Sequence, residues 1–80
     1  MTADQIKARL KEGCSLFGFD YNGKTGGVDP YWSEDKGDVF ALFYAGNETE
    51  VYGVDAVMTT PFIDGKTLTE VLDDLTINEY

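Results

Sequence analysis

Eighty residues, 42% of them hydrophobic and 14% aromatic, fit one folded domain over residues 1–80 and exclude a disordered chain, although a chain this short buries only about 60–65% of its unfolded surface. The formal charge of −9, from 15 acidic and 6 basic side chains, disfavours direct binding to nucleic acid or an anionic membrane and favours a basic protein surface. No apolar run approaches the roughly 18 residues of a membrane span. The opening residues lack the apolar segment of a secretory signal, and the single cysteine, Cys14, has no internal disulfide partner, so a cytoplasmic location is expected.

The charge is uneven. Residues 1 to 12 carry three basic and two acidic side chains, a net +1, which leaves −10 for residues 13 to 80. In the first of these segments Thr2 and Gln5 have capping-box spacing, Ala3, Ile6 and Leu10 share a helical face, and Gly13 is a natural stop. Residues 14–21 then alternate, with Phe17, Phe19 and Tyr21 on one face. Asn22-Gly23 predicts a type I′ hairpin that sets Phe17 against Val28, Phe19 against Gly26 and Gly18 against Gly27. Pro30 cannot donate to a ladder, so the second strand is expected to end near Asp29 or to lie at an edge. Residues 31–38 read as an irregular acidic connection.

The run from Asp38 to Val54 is the centre of the pattern. Its first half is almost wholly apolar, and Gly46-Asn47 suits a type II′ turn, which pairs Leu42 with Val51 and Phe40 with Gly53. Phe40, Leu42, Tyr44 and Val51 are assigned to the core. Val39, Ala41 and Phe43, opposite Val54, Tyr52 and Glu50, form a second face. Large exposed apolar patches are uncommon on monomers, so packing under a helix is the first expectation and an aromatic patch ringed by acid the alternative. Beyond it, Asp55 is read as the cap of a helical turn through Met58, Thr60-Pro61 as extended, Phe62 and Ile63 as a plug for the core, and Asp64-Gly65 as a turn. Thr67 and Glu70 form a second capping box, with Leu68, Val71, Leu72 and Leu75 at helical spacing. The tail is read as a short extension or a frayed end. The fold class is therefore α+β, ordered α-β-β-β-β-α, with two hairpins in a four-stranded antiparallel sheet and two packed helices.

Chemistry-bearing patterns are sparse. The absence of histidine removes the commonest general base and metal ligand. Cys14 stands at the helix end whose dipole raises, rather than lowers, a thiol pKa. The two Gly-Lys-Thr fragments, at 23–25 and 65–67, lack the earlier glycine of a phosphate loop, and no helix start follows Gly26-Gly27. No catalytic residue, metal or cofactor is assigned.

Three groups remain as candidates for partner binding. Tyr31 and Trp32 stand beside Glu34, Asp35 and Asp38, aromatic anchors with an acidic rim. Phe43 and Tyr52 flank Glu50 on the second face. Asp73 and Asp74 oppose the dipole of the last helix, so local stability does not favour them. The expected function is a non-enzymatic, cytoplasmic protein-interaction module for a basic partner. Its narrower form is a nucleic-acid mimic, by charge analogy with small acidic inhibitors of phages and bacterial mobile elements. The alternative is a structural subunit or homodimer that buries the second face of the central hairpin; an enzyme working through carboxylates ranks last.

Overall fold

A computed structural model describes residues 2–12 and 16–79. Gly13 and Cys14 lie outside the described residues. The first helix, α1 (Ala3–Glu12), starts at the expected capping box: the Thr2 amide donates to Gln5 Oε1 at 2.8 Å and the Gln5 amide to Thr2 Oγ1 at 3.2 Å. Two donors that the first turn cannot satisfy internally are thereby paired.

Five strands follow in an antiparallel sheet of order β4-β3-β2-β1-β5. β1 (Phe17–Tyr21) and β2 (Lys24–Ser33) pair in the register read from Asn22-Gly23, with both turn residues at positive φ. β2 does not stop at Asp29. It continues through Pro30 to Ser33, and its last pair with β1 is Val28 with Phe17. Pro30 therefore sits where β2 has outrun β1 and is locally an edge, the setting in which a missing N–H is tolerated. The connection expected over residues 31–38 shrinks to Glu34–Lys36, because Tyr31, Trp32 and Ser33 pair with Val39, Asp38 and Gly37.

β3 (Gly37–Tyr44) and β4 (Asn47–Tyr52) turn at Ala45-Gly46, with φ of 52° and 86°, one residue earlier than read from the sequence. Phe40 now faces Val51, Val39 faces Tyr52, and Tyr44 faces Asn47. The Phe40–Val51 and Val39–Tyr52 pairs, and the bond from the Ala45 amide to the Thr25 carbonyl at 3.0 Å, offset the roughly 1 kcal/mol that a left-handed alanine costs. Moving the turn by one residue shifts the pairing by two, so every side chain keeps its face. Val54 leaves the sheet altogether.

The tail is neither helix nor frayed end: Thr76–Glu79 form β5, with Ile77 opposite Phe19 and Thr76 opposite Asp20. A helix continued through Leu75 would have removed these residues from the sheet edge. The last helical segment is correspondingly short, α3 (Leu68–Val71) and a 3₁₀ turn (Leu72–Asp74), and its Thr67–Glu70 capping box is present on both sides. The helical turn expected through Met58 is present as α2 (Val54–Thr59), which begins after Gly53 at φ 88°. Asp55 lies in its first turn and is not its cap; it pairs with Lys7 of α1 at 3.2 Å.

Among the described residues, the three α-helices all lie on one side of the sheet. Ile6 and Leu10 of α1, Val57 and Met58 of α2 and Leu68 and Val71 of α3 share a buried cluster with Phe17, Phe19, Val28, Phe40, Leu42 and Tyr44. Ile63 closes it, fully buried, with Phe62 packed against it. Thr69 Oγ1 donates to the Met58 carbonyl at 3.1 Å and ties α3 to α2.

On the opposite side the strands approach closely over glycine. A Cβ on Gly27 would stand 2.4 Å from the Phe17 carbonyl oxygen and 2.7 Å from Cζ of Phe43, whose ring lies across the bare backbone. Gly27→Ala is expected to destabilise the fold by about 1–3 kcal/mol, because a backbone atom must move. Urea denaturation measures this; a loss below about 0.5 kcal/mol would contradict the close approach.

Candidate protein-binding face

The register sets out the uncovered face of the sheet in rows that cross the strands. One row is Tyr52, Val39 and Tyr31; the next is Glu50, Ala41 and Asp29; the third is Glu48, Phe43, Gly27 and Gly18. A further row at the end of the sheet holds Thr25, Asp20 and Thr76, with Thr25 Oγ1 donating to Asp20 Oδ1 at 2.9 Å. Successive rows stand about 7 Å apart and neighbouring strands about 4.8 Å. No helix among the described residues crosses this face.

Two aromatic side chains dominate it. Tyr31 is 43% and Tyr52 51% exposed, while Val39 between them is only 1% exposed. The tyrosines shield the valine, and Phe43 does the same for Gly27. What remains outward is aromatic edge and face, flanked by the carboxylates of Glu48, Glu50 and Asp29. These rows contain no lysine or arginine. The helix expected to cover the second face is absent because α1, α2 and α3 are all used on the core side.

The sequence-derived candidates fall into four places. Tyr31, Phe43, Glu50 and Tyr52 come together on the open face. Tyr31 and Trp32 do not form one patch: as neighbours in a strand they project to opposite sides. Trp32, 66% exposed, faces Asp38 on the helical side and borders a small cleft beside Leu10 and Lys11. Glu34 and Asp35 occupy the β2–β3 turn. Asp73 and Asp74 are exposed on the 3₁₀ turn leading into β5, separated from β4 by the width of the sheet, about 19 Å. Asp29 and Glu48 belong to the open face and were not singled out from the sequence; β2 alternation through Tyr31 points to Asp29, and the corrected turn to Glu48.

A second polar cluster lies at the helical side. Tyr44, 2% exposed, places its hydroxyl 2.9 Å from the Tyr21 carbonyl and 3.1 Å from Asp64 Oδ2. Asn22 Nδ2 donates to the same oxygen at 3.5 Å, and Lys24 Nζ is 3.9 Å from Asp64 Oδ1. The Asp64-Gly65 turn is thereby fastened to the first hairpin and to the end of β3. An open cavity of about 500 Å³ adjoins it, bordered by Lys24, Tyr44, Asn47, Phe62 and Asp64. The polar groups of this cluster are occupied with one another, which makes it a structural latch. Burial, the hydrogen bond to Asp64 and the charge of that carboxylate hold the Tyr44 phenol above its ordinary pKa of 10.0.

Among the described residues no three or more histidine, cysteine or acidic side chains gather to hold a metal ion, and no helix is long and apolar enough to cross a membrane. No protein-family model matches the chain, and neither the curated proteins nor the solved structures contain a match.

The latch has a pH signature. Because the folded phenol ionises above the unfolded one, the stability that neutral Tyr44 contributes is complete below pH 10.0 and is lost as pH rises through the folded value. In Asp64→Asn the Tyr44 titration is expected to move down towards that of a free tyrosine. Carbon NMR of the tyrosine Cζ signals follows each phenol separately; an unchanged Tyr44 titration in the variant would rule out the latch.

Proposed function

We propose that the protein is a non-enzymatic interaction module that binds a basic protein surface through the open face of its sheet. The observation that carries this reading is the row of Tyr52, Val39 and Tyr31 left uncovered beside Glu50, Asp29 and Glu48. Aromatic anchors inside a charged rim supply both terms of a specific contact: desolvated ring surface for affinity, and a field that steers a cationic partner and rejects an anionic one. The net charge of −9 reinforces that field at long range. A nucleic-acid-binding protein offers a cationic groove of the required sign, which is the narrower, mimicry form of the reading.

A homodimer through the same face is disfavoured by charge. A two-fold contact sets the patch against itself, so Glu48, Glu50 and Asp29 of one copy meet acids of the other, and like charges across an interface are costly. A basic partner meets no such repulsion.

Titration with a lysine- and arginine-rich peptide, followed by amide NMR shifts, tests the reading. Shifts are expected at Tyr31, Val39, Ala41, Glu50 and Tyr52, with affinity falling as salt rises. Tyr31→Ala should weaken binding by more than about fivefold, as for an interface anchor, whereas Asp73→Asn with Asp74→Asn should change it little. Shifts spread evenly over every acidic surface, or confined to the helical side, would refute the assignment.

A further inference from the structure

The open face already holds a cation from its own chain. The Lys36 ammonium stands 5.5 Å from the centroid of the Tyr52 ring, within the range in which a cation is drawn to the negative face of an aromatic ring. Lys36 lies in the β2–β3 turn with Glu34, Asp35 and Asp38 close by in sequence, yet among the described residues it makes no ion pair. Its amine goes to the ring. Glu50 projects from the same face of β4 as Tyr52, one row away, so a carboxylate stands beside an aromatic ring that is 51% exposed.

We propose that Tyr52 and Glu50 form the seat of an arginine side chain of the basic partner, and that Lys36 occupies this seat in the free protein. The inference rests on the open-face reading and names the group that the face recognises. A guanidinium is planar: it stacks on the ring and presents a fork of N–H donors to the carboxylate, whereas an ammonium is a hydrated point charge that satisfies one contact at a time. Arginine therefore displaces Lys36 with a gain that lysine does not provide.

The test uses arginine and lysine homopeptides of equal length titrated into the full chain, with affinity from fluorescence anisotropy and location from amide shifts. The arginine peptide is expected to bind about two- to fivefold more tightly, the weight of the exposed guanidinium–Glu50 fork added to the ring contact that lysine also makes. Lys36→Gln should tighten arginine binding by a similar factor beyond the effect of Lys66→Gln, which makes the same charge change on the helical side. Both gains should vanish in Tyr52→Leu, which keeps apolar cover over Val39. Equal affinities for the two peptides, with Lys36→Gln and Lys66→Gln acting alike, would overturn the seat and leave the open-face reading standing. Absence of peptide-induced shifts on the open face would overturn both.

Discussion

Among the described residues the helices cover only one side of the sheet, and the remaining features depend on that constraint. Helices of ten, six and four residues are each too short to be stable alone, so all must bury an apolar stripe, and they do so against the same strands. Strand alternation then leaves the opposite side chains without a second layer. The capping boxes at Thr2–Gln5 and Thr67–Glu70 and the Asp64 latch keep these short elements seated.

The uncovered side is managed rather than left bare. Val39 and Ala41 are buried there with no helix among the described residues above them: Tyr31 and Tyr52 flank Val39 in register, and the Phe43 ring lies over the bare backbone of Gly27. Glu48 and Glu50 place charge along the outer strand, where an unpaired edge otherwise invites another chain. In the function proposed above, the same two devices, flat aromatic cover and acidic edging, would discourage self-association and select a partner of opposite sign.

Much of the architecture is legible in the sequence because it is governed by local chemistry. Asn22-Gly23 sets the first hairpin to the residue, and both capping boxes mark their helices. The central hairpin shows how a local signal loses: Gly46-Asn47 is the better turn in isolation, but pairing Val51 with Phe40 and Tyr52 with Val39 favours Ala45-Gly46. Leu72 and Leu75 carry helical spacing, yet the edge left open by β1 recruits Thr76 and Ile77 as a strand. Of the site, Phe43, Glu50 and Tyr52 are readable as one face from alternation alone. That Tyr31 joins them while Trp32 does not depends on β2 continuing past Pro30. Asp64 and Tyr44 are twenty residues apart, and no pattern in the chain announces their contact.

One side of the sheet is open in the free protein. Limited nitration of tyrosines in dilute purified protein, with the sites and extents read by mass spectrometry, tests it directly. Rapid modification of Tyr31 and Tyr52, at 43% and 51% exposure, and protection of Tyr44 at 2% are expected. Protection of Tyr31 and Tyr52 to the level of Tyr44 would contradict it and mean that the face is already covered.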